Sequence, residues 1–378
     1  MSHSDMDATS TLQKTAKGSS PPNSDRVIPA RGGISRQGQC ASSSGVSHGE
    51  SPETAKETLI RLYAPIGREL AEVEARLFRE LQSPHEALMP VLRHGTQLGG
   101  KRMRPAILLL VGHAVGTLTN DHIVLGTVVE MVHTATLIHD DVLDEADTRR
   151  HVPTINAQWS DHTSILIGDY LFAQSFRLSA TLGSTDACQM VGEAARLVCE
   201  GELRQILTRD ALGISEQDYY DMIRGKTAEL CRVACELGAR FSGGTRATIE
   251  AMGRYGDAIG IAFQIADDFL DLWGDDETVG KTLGTDIGQG KMTLPLIRLR
   301  DTVGREDWAT IIGILTGSAD SRLNAIWPFL QRSDARGYTH SVAETFKQRA
   351  IRSLDCLPAS RTKQALIELA SFSVDRRF

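Results

Sequence analysis

The chain has 378 residues, of which 41% are hydrophobic, 24% charged and 5% aromatic, and its formal net charge is −7. That length can bury a large core, as one big domain or two. The acidic balance gives no sign of a nucleic-acid partner. The longest apolar runs, such as AILLLVGHAVG, are too short to span a bilayer, and six scattered cysteines do not make a disulfide framework.

Residues 1–50 are rich in Ser, Gly and Pro, with almost no apolar periodicity. Such a segment buries too little surface to offset its ordering entropy, so a disordered tail is expected there. It carries no hydrophobic signal core, and Asp5 and Asp7 argue against a transit peptide, so a cytoplasmic location is expected. Order is expected from residue 51, where Ser51 suits an N-cap with Pro52 in the first turn; Ser83 and Pro84 repeat the pattern. Beyond these, apolar residues return at helical spacing through DHIVLGTVVEMVHTATLIHDDVL, TSILIGDYLFAQSFRLSA, DACQMVGEAARLVCEGELRQIL and TRATIEAMGRYGDAIGIAFQIADDFLDLW. Alternating Val-rich runs are scarce. The expectation is a single all-α domain over residues 51–378, built from about ten or more helices. Gly126, Gly168, Gly192 and Gly260 lie inside helical patterns and suggest close helix packing. Cys231 and Cys235, one turn apart with no second Cys/His pair nearby, read as core residues rather than metal ligands.

Two stretches break the apolar pattern with clustered acids: LIHDDVLDEADTRR, with Asp140, Asp141 and Asp144, and FQIADDFLDLWGDD, with Asp267, Asp268 and Asp271. On a helix, Asp140 and Asp144 share a face, as do Asp267 and Asp271, with Gln264 one turn earlier on the second stripe. Like charges at that spacing repel, so a cation must offset them near a core. Magnesium suits the position, because it takes carboxylate oxygens and completes its shell with water and substrate phosphate oxygens. An EF-hand calcium loop fits worse, since that pattern needs alternating acids and a Gly in an irregular loop. Three basic stretches complete the pattern. GGKRMRP presents Lys101, Arg102 and Arg104 at a helix start after Gly99 and Gly100, RGKTAEL supplies Lys226 and Thr227, and GKTLGTDIGQGKMTLP supplies Lys281, Asp286 and Lys291. A helix N-terminus, a lysine and a forked guanidinium together suit phosphate. Two metal-type acidic clusters beside several phosphate-type cations imply substrates that carry diphosphate.

GGKRMRP, LIHDDVLDEADTRR, GDYLF, GKTAEL and FQIADDFLD…GKTLGTDIGQGKMTLP, in this order, resemble the trans-isoprenyl (polyprenyl) diphosphate synthases over roughly residues 55–378. The resemblance implies a large helical bundle of the isoprenoid synthase type with a central cavity, acting as a homodimer without nucleic acid. It implies that Lys101, Arg104 and His133, helped by Arg150, hold the diphosphate of isopentenyl diphosphate. Asp140 and Asp144 would bind two magnesium ions and Asp267 with Asp271 another, about three in all. Arg149, Lys226, Lys281 and Lys291 would grip the allylic diphosphate, while Thr227 and Gln264 steady the substrate and the carbocation. The implied reaction is a 1'-4 head-to-tail condensation in which Asp140, Asp144, Lys226, Asp267 and Asp271 are the catalytic set. Both acidic motifs have the short DDxxD form, which disfavours a terpene cyclase. Both are intact, which disfavours a non-catalytic subunit of a heteromeric synthase.

Product length reads from the helix before Asp140. Counting back along its face gives Thr136, then His133 or Val132, then Val129, each turn about 5.4 Å deeper. Short-chain members of the family tend to place an aromatic four or five residues before the first aspartate; here those positions are the small Ala135 and Thr136. The floor is then expected deeper, at Val132 or Met131, or at Phe172 and Phe176. The expected product is long, of the octaprenyl or solanesyl class used for quinone side chains, with a farnesyl or geranylgeranyl product as the alternative.

Overall fold

The structure, a computed structural model, describes residues 54–97, 100–274 and 283–375. It opens with α1 (Ala55–Tyr63). Thr54 caps this helix: its hydroxyl accepts the Glu57 N–H, and the Glu57 carboxylate accepts the Thr54 N–H, which satisfies two otherwise orphaned donors. The cap expected at Ser51 with Pro52 lies outside the described residues, as does the expected tail. α2 (Gly67–Glu80), α3 (Met89–Gln97), α4 (Met103–Val115) and α5 (Asn120–Leu143) follow. Ser83 does not cap α3; its hydroxyl accepts the His85 N–H, and a 3-10 turn, Glu86–Leu88, leads into the helix.

A short antiparallel hairpin, β1 (Thr148–Arg149) with β2 (Val152–Pro153), interrupts the helices and is the only sheet among the described residues. Then come α6 (Ile155–Gln158), α7 (Asp161–Ser179), α8 (Thr185–Leu207), α9 (Glu216–Ile223), a π-helical segment (Arg224–Ala228), α10 (Glu229–Phe241) and α11 (Arg246–Trp273). The remaining helices are α12 (Thr285–Gly288), α13 (Leu294–Thr302), α14 (Arg305–Leu315), α15 (Ala319–Arg332), α16 (Ala335–Ser353) and α17 (Arg361–Val374). All lie in one compact unit, Pro52–Phe378. The all-α expectation therefore holds, with the hairpin as its one exception among the described residues.

α4 is the centre of the core. Ala106, Ile107, Leu108, Leu109, Leu110 and Val111 expose none of their surface, as expected of a helix that is apolar all round. Each such Leu or Ile contributes about 1.5–3 kcal/mol by its burial. α4 packs on α5, α10 and α17; α11 packs on α10 and α16; α5 packs on α2 and α7. Cys231 and Cys235 are buried in this core, as expected. No helix among the described residues is long and apolar enough to cross a membrane.

Three of the four helix glycines mark close approaches. A Cβ on Gly126 would meet Val73 of α2 at 2.9 Å, one on Gly168 would meet the His139 ring at 2.1 Å, and one on Gly260 would meet the Ala228 Cα at 2.5 Å. Gly192 does not fit the expectation: nothing lies within 4 Å of its Cβ position. The pair that brings α8 close to a neighbour is instead Gly201 with Gly225, whose Cα atom a Gly201 Cβ would meet at 3.1 Å. Gly260→Ala should cost about 1–3 kcal/mol by overpacking α11 against the π segment. A lower urea midpoint with an unchanged m-value is the expected result; an unaltered midpoint would mean the two backbones are not locked there.

Candidate active site

The acidic stretches occupy the C-terminal ends of α5 and α11. Asp140 lies in the last turn of α5 and Asp144 is its C-cap, while Asp267 and Asp271 lie in the last two turns of α11. A helix C-terminus already carries partial negative charge, so carboxylates there are disfavoured twice over. The chain answers with cations from other elements. Lys226 Nζ, in the π segment, lies 3.8 Å from Asp140 Oδ2 and 2.5 Å from Glu202 Oε2 on α8. Lys291 Nζ lies 3.6 Å from Asp144 Oδ1 and 3.6 Å from Asp286 Oδ1. Arg209 reaches Asp144 Oδ1 at 3.3 Å. Asp141 is buried, and its Oδ1 accepts from Arg149 Nε at 2.7 Å; it anchors an arginine where its neighbours face the lysines. Burial pushes the Asp140 carboxyl up to about 6; Lys226 opposes that shift, and Glu202 and Asp144 add to it.

Gly201 and Gly225 make the Lys226 arrangement possible. A Cβ on Gly201 would meet the Lys226 backbone nitrogen at 2.5 Å, so the absence of side chains lets α8 touch the π segment and puts Glu202 beside Lys226. The π turn also aims Thr227 at α11. Its hydroxyl donates to Gln264 Oε1 at 2.8 Å, Gln264 Nε2 donates to Asp268 Oδ1 at 2.8 Å, and the Tyr219 hydroxyl donates to Asp268 Oδ2 at 2.6 Å. Gln264 thus serves Asp268, on the buried side of α11, rather than the Asp267–Asp271 stripe. Burial, and then the charge of Asp286, hold the Asp268 carboxyl well above the usual carboxylate range. Asp271 accepts from the N–H groups of Thr285 and Asp286 at 3.1 and 3.2 Å, which ties α11 to α12. A cavity of about 90 Å³ opens among these groups, lined by Gln205, Lys226, Gln264, Asp268, Asp286 and Lys291. A larger hollow of about 280 Å³ beside Arg332 and Asp334 contains none of the motif residues. Lys281 lies outside the described residues.

The second basic group forms around the start of α4. Arg102 adopts a left-handed conformation (φ 50°) before the helix, and its Nη1 bonds the buried Glu130 at 2.6 Å. Arg104 Nη1 donates to His133 Nε2 at 2.9 Å. Burial and then the neighbouring Arg104 hold His133 well below its ordinary pKa, so the ring is neutral at pH 7 and its Nε2 accepts. Lys101 is exposed, with its ammonium 5.5 Å from the Phe372 ring centroid. Arg150 and His151 form the hairpin turn with φ of 53° and 64°, a conformation that usually calls for Asn or Gly. Arg150 folds over Gly100, where a Cβ would meet its guanidinium at 2.1 Å.

The expected product-length residues divide between two surroundings. Thr136 is half-buried. Ala135 is fully buried in a side cluster with Met131, Ile138, Ile167 and Leu171, against which Phe172 packs. Val132 is buried in the main core, and Phe172 lies with its ring centroid 5.9 Å from His139 and 6.5 Å from Phe176.

Sequence reasoning missed Glu202, Arg209 and Tyr219, because each acts through a partner far along the chain, and Gln205, which lines the cavity. Only the glycine at 201, one residue before Glu202, carried a signal. Among the described residues no three His, Cys, Asp or Glu side chains converge on one point as a ready metal cage. The donors at the helix ends are carboxylate oxygens, which fit a hard divalent cation that keeps water and substrate oxygens in its shell.

The model of the polyprenyl synthetase family matches residues 85–324. The chain belongs to the polyprenyl synthetase family. It is 36% identical over 317 residues to an all-trans-nonaprenyl-diphosphate synthase (geranyl-diphosphate specific) of Rhodobacter capsulatus, a match covering 83% of this chain and 97% of that protein. It is 34% identical over 312 residues to octaprenyl diphosphate synthase of Escherichia coli, covering 82% and 96%. The crystal structure of a polyprenyl synthase from Caulobacter crescentus, complexed with calcium and isoprenyl diphosphate, matches with a TM-score of 0.78 at 34% identity, over 87% of this chain and 99% of that one. The chain is a trans-polyprenyl diphosphate synthase, a prenyl-transferring enzyme, and its relatives support the long-chain type over the short-chain one.

The Asp140 carboxyl gives a stability prediction. Its pKa rises from 3.8 to about 6 on folding, so between those values the folded chain binds more protons than the unfolded one. Stability therefore falls as pH rises through that window, and the full cost persists above it, at most about 3 kcal/mol. Asp140→Asn removes the charge and leaves Lys226 paired with Glu202. The variant should melt higher than wild type at pH 7.5 without metal and show no gain near pH 4. A lower melting temperature at pH 7.5 would contradict this account of the site.

Proposed function

We propose that this site joins isopentenyl diphosphate to an allylic diphosphate with magnesium as its divalent ion, about three ions with substrates bound. Asp140 and Asp144 on one side, and Asp267 and Asp271 on the other, hold those ions. When bound, they neutralise charge on the departing diphosphate. Lys226, Lys291 and Arg149 take the allylic diphosphate, together with Lys281. Lys101, Arg104, His133 and Arg150 take the diphosphate of isopentenyl diphosphate. Breaking the allylic carbon–oxygen bond leaves a carbocation, which the isopentenyl double bond attacks; loss of a proton restores an allylic diphosphate for the next addition. Gln264, held by the Thr227 hydroxyl, presents its dipole at the cavity wall, where the cation forms. The observation that carries this reading is the pairing of Lys226 with Asp140 and of Lys291 with Asp144. Each pair is an anion site and a cation site that neutralise each other and separate when a cation and an anion arrive together.

The tail runs down α5 past Thr136, giving a long product of the kind used for quinone side chains, and a cytoplasmic homodimer is part of the same reading. Leu203 and Leu207 on α8, with Ile165 and Leu166 on α7, are exposed apolar side chains of the kind a second copy would cover.

One incubation tests the whole reading: the purified chain with isopentenyl and farnesyl diphosphates and magnesium, with products separated by length. Wild type should make a product longer than geranylgeranyl. Asp267→Ala should lose several orders of magnitude in turnover. Thr136→Phe should keep the first condensations and stop early, because a ring at that half-buried position fills space the tail crosses; Ala135→Phe should do so less cleanly, since Ala135 packs tightly in the side cluster. Long products from Thr136→Phe would place the tail elsewhere, and near-normal turnover in Asp267→Ala would sink the mechanism.

A further inference from the structure

Arg209 lies just beyond the end of α8, one residue after the Thr208 C-cap. Its Nη2 reaches Asp144 Oδ1 at 3.3 Å, and Lys291 Nζ approaches the same oxygen at 3.6 Å. Its Nε is buried and has no hydrogen-bond partner. The backbone around it is fixed. The Thr208 hydroxyl donates to the Arg204 carbonyl at 2.7 Å. Asp210 is left-handed (φ 60°), and its N–H donates to the Gly290 carbonyl at 3.0 Å. Gly290 is also left-handed (φ 72°), and a Cβ there would meet the Asp210 carboxylate at 2.2 Å. The end of α8 is thus locked to the loop that carries Lys291, and Arg209 and Lys291 converge from that lock on one carboxylate oxygen.

Lys291 has Asp286 as a second partner, but Arg209 has only a shared oxygen of Asp144 and a buried N–H left over, more donor capacity than that oxygen can satisfy. A diphosphate group has oxygens enough for both, and a guanidinium meets two of them at once with its fork. We propose that Arg209 is a further diphosphate-binding residue of this enzyme, one that moves from Asp144 to an oxygen of the allylic diphosphate beside Lys291 once Asp144 is taken by its cation. The inference rests on the prenyl-transfer reading above. The unpartnered Nε then gains an acceptor, and Lys291 and Arg209 hold the leaving group from one side while Lys226 holds it from another.

The test is calorimetric titration of the full-length chain with inorganic diphosphate in magnesium buffer, for wild type, R209Q and R209K, alongside melting temperatures and the two Michaelis constants. R209Q should bind diphosphate about 10- to 100-fold more weakly, the range expected for one lost charge-assisted hydrogen bond, with R209K in between. The KM for the allylic substrate should rise while that for isopentenyl diphosphate stays near wild type; a purely structural role would not split them. Wild-type affinity in R209Q would overturn the proposal and leave the prenyl-transfer reading standing. Failure of wild type itself to bind diphosphate with magnesium would overturn both. Should R209Q not fold, R209K decides: several-fold weaker binding supports the proposal and unchanged affinity overturns it.

Discussion

Four carboxylates at the C-terminal ends of two helices, α5 and α11, are the constraint on which the rest of the site depends. Mutual repulsion, partial burial and the helix dipoles all act against them. A fold that keeps them must deliver cations to the same place. The end of α8 delivers Arg209 and the loop after α12 delivers Lys291 to Asp144, the π segment delivers Lys226 to Asp140, and the hairpin delivers Arg149 to the neighbouring Asp141. Part of the unusual backbone of the chain lies at or beside these deliveries. The π turn carries Lys226, left-handed residues carry Arg150 and flank Arg209, and bare glycines lie at the α8 contact. Strained or irregular backbone of this sort persists where the surrounding structure over-determines it.

On the proposed reading, the same charges let the site exchange partners. Each lysine lies 3.6–3.8 Å from an aspartate, longer than a tight hydrogen-bonded pair, so little is lost when the two part. Metal and diphosphate carry the opposite charges and can replace both halves of each pair. Glu202 and Asp286 keep second contacts to Lys226 and Lys291, which steers the ammonium groups while their first partners change. The raised Asp140 pKa belongs to this picture: burial, with Glu202 and Asp144 nearby, outweighs the single compensating charge of Lys226.

Much of this was readable in the sequence, for physical reasons that also explain what was not. Helix content followed from apolar periodicity, and the aspartate pairs followed from spacing on one helix, since both are local. Asp144 shows the limit of that logic. The spacing puts Asp140 and Asp144 on one helical face, but the helix stops at Leu143 and the second aspartate is its cap. Gln264 shows another, because one stripe of α11 leads to Asp271 and the adjacent one to Asp268, and only the position of Thr227 and Asp268 decides between them. Arg209, Glu202 and Tyr219 meet partners 24 to 65 residues away, and no periodicity encodes such a meeting. A glycine in a helix announces that something needs space or freedom there, yet Gly192 faces nothing and Gly201 faces Lys226; the sequence around them does not tell the two apart.

The central claim is that the aspartates and lysines of the site are each other's placeholders. A crystal structure of this protein with magnesium and an unreactive allylic diphosphate analogue tests it most directly, through two distances. The account predicts that Lys226 leaves Asp140 and Lys291 leaves Asp144 for phosphate oxygens. Lysines still resting on those aspartates, with the diphosphate bound elsewhere, would contradict it.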